Sequence, residues 1–312
     1  MTDEYVSAKL AEARAALGSG NRASAYFALK RALKRDADNP EAKLLAARLN
    51  LADGDIAGAS NITRDLLAAG AGEEGGAEAE SLAELCLGCE LWFDAARLYA
   101  ALCQEQPDNE SFNRRAGQAS YRCGRLSDAR DFFQRCIALR PERADNFLQL
   151  GHAARAQGDL RLAEEQYRHY VANSEEGKAA GYWSLADLPG HEFSDEDIKA
   201  MNELTGRLPG DGPDASMLQF AMGVAAEQGK RFKQAFGHFR QANATQSQFR
   251  QFSAAEFERT LKSLASARSN LAPSVPAGEI TPVFVVGLPG SGIAQVERVF
   301  AAHPAVGTTG GL

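Results

Sequence analysis

Residues 282–300 read "PVFVVGLPGSGIAQVERVF": an apolar run, a glycine-rich corner and a helix-like segment in succession. That order of residue types can cradle a phosphate. Successive N–H groups of the corner and the free N–H groups at the helix start converge on one anion. Pro289, Gly290, Ser291, Gly292, Ile293 and Ala294 would form the cradle. A Walker loop is excluded because no lysine follows Gly292, and a dinucleotide fingerprint because Gln295 stands where a third glycine belongs. A strand, tight turn and helix with no ligand would use the same residues. The second constellation, "CLGC", sets Cys86 and Cys89 at the spacing of half a zinc ribbon or a redox pair. No second CxxC and no HxxxH follows, and the surrounding pattern is helical, so the two thiols read as small apolar groups on a packed helix face. No metal site is expected.

The elements that must position such groups come from the rest of the chain. At 312 residues and 45% hydrophobic, it can bury one large or two modest cores. Thirty-four Lys and Arg against forty-one Asp and Glu give a net charge of −7, which opposes a grip on nucleic acid or an anionic membrane and leaves room only for a small local basic site. The start, "MTDEYVSAKL", has no basic segment followed by an apolar one, and nowhere do eighteen apolar residues run together. With five cysteines, an odd number, this points to a cytoplasmic chain with reduced thiols.

Most of the chain repeats at thirty-four residues. Gly117 pairs with Gly151, Gly124 with Gly158, Ala129 with Ala163, and Phe133 with Tyr167. Ala95, Tyr99 and Pro107 precede Ala129, Phe133 and Pro141 by the same step, and Gly20 and Ala25 precede Gly54 and Ala59. From Ala59 to Ala95 the step is thirty-six, a two-residue insertion in "AGAGEEGG". In a helical hairpin the small residues let two helices approach, and the aromatic four positions after the alanine fills the gap on the same face. Gly124 and Gly158 fit the turn between the helices, and Pro107 and Pro141 stop the second helix. The pattern resembles the tetratricopeptide repeat and gives about four repeats between residues 6 and 173. The resemblance implies a right-handed superhelix whose groove is lined by the first helix of each repeat and binds extended peptides or partner helices. Asn113, Arg114, Tyr121, Asn146, Gln149 and Arg155 fall on first helices and are the groove candidates, although a solvated face would show the same polar mix.

Past Ser174 the period breaks at Pro189 and Gly190, and a helix restarts at Ser194 with Asp197 placed for a capping box. Gly223, Ala235 and Phe239 then repeat the Gly117, Ala129 and Phe133 spacing, so an isolated hairpin is expected over 218–246. His169, His191 and His238 show no ligand-like spacing. "FSAAEFERTLKSLASARSN" reads as an amphipathic helix and "LAPSVPAGEITP" as a linker.

The order of parts, repeats followed by "WSLADL...FSDEDIKAM", "MLQFAMGVAAEQGKRFKQAFGHFRQAN" and "PVFVVGLPGSG...VERVFAAHPAVGTTGGL", resembles the bacterial tetratricopeptide-repeat sulfotransferases, relatives of the tyrosylprotein sulfotransferases. That resemblance implies a helical repeat region joined to an α/β domain that uses 3′-phosphoadenosine 5′-phosphosulfate (PAPS). The family corner is close to "GLPRSGTTLVEQIL". Pro289, Ser291 and Gly292 match it; Gly290 replaces the arginine, and Ile293 and Ala294 replace two threonines. Losing one charge-assisted and two neutral hydrogen bonds removes about 4 kcal/mol, near a thousandfold in affinity. Gly311 stands at the family's possible general-base position, where no group can accept a proton.

The expected architecture is therefore mainly α: repeats over 1–175, further helices over 176–270, a linker over 271–281, and over 282–312 a truncated strand, loop and helix remnant of an α/β P-loop-like sulfotransferase domain. The expected function is a protein-interaction module with a protein or peptide partner, no nucleic acid or membrane partner, no cofactor and no catalytic residue. The alternative is the N-terminal portion of an active PAPS-dependent sulfotransferase acting on a protein tyrosine or another hydroxyl.

Overall fold

The computed structural model describes residues 2–73, 75–249, 253–268, 281, 283–287 and 291–307. Two compact units, Met1–Arg250 and Gln251–Leu312, are distinguished by their internal contacts. In the first unit ten helices follow as pairs: α1 (Thr2–Gly18) with α2 (Arg22–Arg35), α3 (Pro40–Ala52) with α4 (Ile56–Ala68), α5 (Gly76–Gly88) with α6 (Trp92–Glu105), α7 (Glu110–Arg122) with α8 (Leu126–Leu139), and α9 (Ala144–Gln157) with α10 (Leu160–Asn173). Then come α11 (Lys178–Ala186), α12 (Asp195–Thr205), and the hairpin α13 (Pro213–Gln228) with α14 (Phe232–Phe249). Among the described residues five hairpins thus precede residue 174, where spacing alone suggests about four. The first two have no aromatic at the packing position and are the harder ones to count.

Each hairpin turns in the same way. One or two residues past the first helix the backbone is left-handed, at Gly20, Gly54, Glu90, Gly124, Gly158 and Lys230, with φ between 57° and 84°. In every case the next amide donates to the carbonyl five residues back, as Arg125 to Ser120 and Arg231 to Ala226, both 2.8 Å. This is the Schellman closure, which satisfies carbonyls a helix end otherwise leaves bare. Glycine is the residue that fits without cost; Glu90 and Lys230 take the same conformation with a Cβ.

Packing then locks the pair. A Cβ on Gly117 would lie 2.7 Å from Cε1 of Phe133, and one on Gly151 or Gly223 would overlap the rings of Tyr167 or Phe239. The glycine is a notch that receives the aromatic ring of the second helix. Phe133 and Tyr167 are buried, as are Ala129 and Ala163. Burying one such ring contributes about 1.5–3 kcal/mol. Pro107 and Pro141 follow the last residues of α6 and α8 as the sequence suggests, and Asn39 and Asn109 cap α3 and α7 by accepting from the amides of Ala42 and Phe112.

The broken period does not break the core. Tyr167, Tyr182, Leu185, Met201 and Leu218 belong to one apolar cluster, so α10, α11, α12 and α13 share it. Helix α12 starts with the expected capping box: Asp197 N donates to Ser194 Oγ and Ser194 N to Asp197 Oδ2, each 3.1 Å.

The second unit holds α15 (Ala254–Arg268), the expected amphipathic helix, and α16 (Ile293–Ala301). The strand expected at the start of 282–312 is not formed. Residues 283–287 are non-helical and carry no ladder, and no strand occurs among the described residues. A lone apolar segment has no neighbour to pair its backbone N–H and C=O groups, and β-structure needs one. Val283, Phe284 and Val286 are exposed, and α16 buries none of its residues. Most of the linker over 271–281 lies outside the described residues.

Candidate functional site

Successive first helices of the hairpins lie beside one another, α1 on α3, α3 on α5 and α7 on α9, and carry a row of polar side chains. Glu84 on α5 is the first junction. It takes Arg48 of α3 at 3.6 Å and Arg115 of α7 at 3.1 Å, while Arg115 also donates to the Tyr99 hydroxyl at 2.8 Å. Burial pushes the Tyr99 phenol up, with the Arg115 guanidinium opposing it.

Farther along, His152 of α9 meets the Tyr167 hydroxyl through Nδ1 at 2.8 Å. Burial lowers the His152 pKa, and the Arg155 cation adds to that, so the ring is neutral near pH 7. Burial also raises the Tyr167 phenol well above its usual range. Arg155 is bound to Asp187 at the end of α11, and its charge opposes part of the rise at Tyr167. A guanidinium beside a phenol and an imidazole offers donors to a carboxylate or a backbone carbonyl.

The six groove candidates divide. Tyr121 is exposed and Gln149 and Arg155 are half-buried on first helices, Arg155 being held by Asp187. Arg114 is half-buried against Glu110, which Arg143 also contacts at 3.1 Å. Asn113 and Asn146 are fully buried and do not reach the surface. Asn113 donates from Nδ2 to the carbonyls of Pro107 and Asn109, both 2.9 Å, and Asn146 donates to the Cys136 carbonyl at 3.3 Å. They tie the loops between hairpins, because a carbonyl left bare at a helix junction needs a donor.

The glycine-rich corner is described in part. Pro289, Gly290 and the Gly311 position lie outside the described residues. Ser291 and Ala294 are exposed, Ile293 is half-buried, and Gly292 precedes α16 in the left-handed conformation at φ 91° without a side-chain cap. Cys86 is buried in α5 with its thiol pushed up to about 12 by burial, and Cys89 ends that helix 3.7 Å from the Thr63 hydroxyl. Among the described residues no group of three His, Cys, Asp or Glu could hold a metal, and no helix is long and apolar enough to cross a membrane.

One feature has no precursor in the sequence pattern. A cleft of about 810 Å³ opens where α10, α11, α12 and α13 meet, with Lys178, Tyr182, Glu203, Arg207 and Asp214 on its walls. Its residues come from four helices with no common spacing, so only assembly brings them together.

Residues 16–80 and 92–144 match two models of the tetratricopeptide repeat. The hairpins there are tetratricopeptide repeats. A solved tetratricopeptide repeat protein from Parabacteroides merdae is similar at a TM-score of 0.51 and 14% identity, over 83% of this chain and 98% of that one. YrrB, described as a tetratricopeptide repeat protein with an unusual peptide-binding site, gives 0.46 and 16% over 53% and 84%. Pseudomonas aeruginosa pilF gives 0.42 and 15% over 79% and 99%. No curated protein matches the chain. Nothing in these comparisons extends to a sulfotransferase. The repeat assignment accounts for the glycine notch, the left-handed turn and the proline stops as one periodic design.

Proposed function

We propose that this chain is a protein-interaction module whose tetratricopeptide repeats bind an extended peptide or a helical segment of a partner protein. The observation that supports it most is the surface left by Tyr121, Gln149 and Arg155 on successive first helices, backed by the fixed pairs His152–Tyr167 and Arg115–Tyr99. Such a surface is pre-organised: buried hydroxyls and ion pairs hold the side chains before a ligand arrives, which lowers the entropy cost of binding. Selection of peptides from a random display library with the full chain should return a consensus sequence. Arg155→Glu combined with Tyr121→Ala should weaken the selected peptide at least about tenfold, a typical cost for two central contacts. Peptides that bind the double variant as well as the parent would remove this face from consideration.

The resemblance to the tetratricopeptide-repeat sulfotransferases supports a finer reading, a sulfotransferase-family chain without sulfuryl transfer of its own. Gly290, Ile293 and Ala294 leave the corner only backbone donors, and Gly311 leaves no proton acceptor. Calorimetric titration with adenosine 3′,5′-bisphosphate should show no binding. Micromolar affinity would instead favour the alternative, in which these residues are part of an active PAPS-dependent sulfotransferase.

A further inference from the structure

Helix α2, "RASAYFALKRALKR", carries five basic residues and no acidic one in a chain whose net charge is −7. Its buried face is Ala25, Ala28, Leu29 and Ala32. The opposite face holds two parallel rows at intervals of four: Tyr26, Lys30 and Lys34, and beside them Phe27, Arg31 and Arg35. Residues four apart stack along one side of a helix, so each row is an aromatic ring followed by two cations. Tyr26 is 52% and Phe27 60% exposed, and all four cations are exposed.

Several arginines of the first unit are tied across hairpins, as Arg22 to Asp53, Arg130 to Asp159 and Arg143 to Glu110. Among the described residues Lys30, Arg31, Lys34 and Arg35 form no ion pair, and the carboxylate of Glu12 on α1 is bonded to Lys9. The second helices α8 and α10 occupy the same place in their hairpins but mix signs, with Asp128, Arg130, Asp131 and Arg135 on one and Arg161, Glu164, Glu165 and Arg168 on the other. Single-sign charge on α2 is therefore no requirement of the repeat.

We propose that this face of α2 docks on a bilayer surface bearing anionic lipid headgroups. Exposed aromatic rings next to long cationic side chains suit that boundary, where rings settle at headgroup depth and Lys and Arg reach outward to phosphate and carboxylate. Charges beyond about 8–10 Å are screened at physiological salt, so the local patch governs the contact, not the overall negative charge. The two clefts lined by Lys178, Tyr182 and Arg207 and by Ser120, Arg125 and Arg135 lie on other helices. Tyr26 and Phe27 pack edge-to-face on each other at 5.6 Å and 74°, so the two rings form one exposed aromatic patch at the head of both rows. Attachment of this kind is peripheral and reversible, and it leaves the groove residues of the first helices free.

Vesicle co-sedimentation of the full chain tests this with phosphatidylcholine vesicles made with and without phosphatidylserine. The chain should sediment with the anionic vesicles, not with the neutral ones, and should be released by added salt. Each cation near such a surface is worth roughly fivefold in partition. The variant combining Lys30→Gln, Arg31→Gln, Lys34→Gln and Arg35→Gln should lose at least about a hundredfold, with an unchanged far-ultraviolet circular dichroism spectrum. Phe27→Trp should show fluorescence quenching by brominated lipid beyond that of the parent chain. Failure to sediment with anionic vesicles at low salt, or undiminished sedimentation of the quadruple variant, overturns the proposal. So does tight binding of single-stranded DNA or an acidic peptide through the same four residues without vesicle binding.

Discussion

The α9–α10 hairpin and the α16 helix both carry apolar side chains at helical spacing, yet they reach opposite outcomes. Tyr167 is fully buried over Gly151, while in α16 Val296, Val299 and Phe300 are 45%, 74% and 44% exposed. Periodicity supplies a stripe in each. What differs is a facing helix with a notch at the height of the ring. An apolar stripe sets where a helix forms, and a complementary surface sets whether that helix contributes to a core.

The largest effect should come from emptying the notch. Tyr167→Ala is expected to cost about 3–5 kcal/mol in denaturant unfolding, the range for removing a buried aromatic ring. Gly151→Ala attacks the same contact from the other side and should cost about 1–3 kcal/mol by overpacking, because the new methyl meets the tyrosine ring. Gly237 sits within α14 with open space around its Cβ position, so Gly237→Ala should stabilise by about 0.5–1 kcal/mol. Opposite signs at these two glycines are what the notch requires; destabilisation at both would point to helix geometry instead.

The left-handed turn sharpens the comparison among hairpins. Lys230→Gly should stabilise by about 1 kcal/mol, since it removes the Cβ from the disfavoured conformation. His191 supplies a pH test. Its side chain is 2% exposed, with Nδ1 3.2 Å from Glu164 Oε1 and, among the described residues, no partner for Nε2. Burial lowers its pKa below 6.5, partly offset by Glu164 and Asp197 and assisted by Arg168. The unfolded chain therefore takes up a proton that the folded one refuses, and stability should fall as pH drops through 6.5 toward the lowered folded value. His191→Gln should flatten that slope in melts across pH 5 to 8, the interval in which histidine titrates; an unchanged slope would assign it to His152 and His238. The smallest effect belongs to α16, where Phe300→Ala should stay within about 0.5 kcal/mol. A cost matching that of Tyr167→Ala would break the contrast.

Where the sequence was readable, a side chain had one role at a fixed spacing. Gly117, Ala129 and Phe133 repeat because the hairpin contact repeats, and Ser194 with Asp197 is a local cap complete within four residues. Glu90 and Lys230 hid two of the six turns, because their backbone is held left-handed by the same closure that glycine adopts freely. Asn113 and Asn146 have the types and helix of groove residues, and only the bonds from their amides to loop carbonyls reveal a structural task. The apolar run near residue 284 has strand composition but, among the described residues, no pairing neighbour.

By itself the sequence determined the helical period, the places of the glycine turns and the helix stops, since each depends on interactions within a few residues or on one contact repeated every thirty-four. Tertiary structure alone decided which polar side chains face outward, which are consumed in tying hairpins together, and which cations on α2 stay unpaired. Those outcomes depend on neighbours about thirty residues away, and burial and pairing across that distance belong to the stacked helices rather than to any segment.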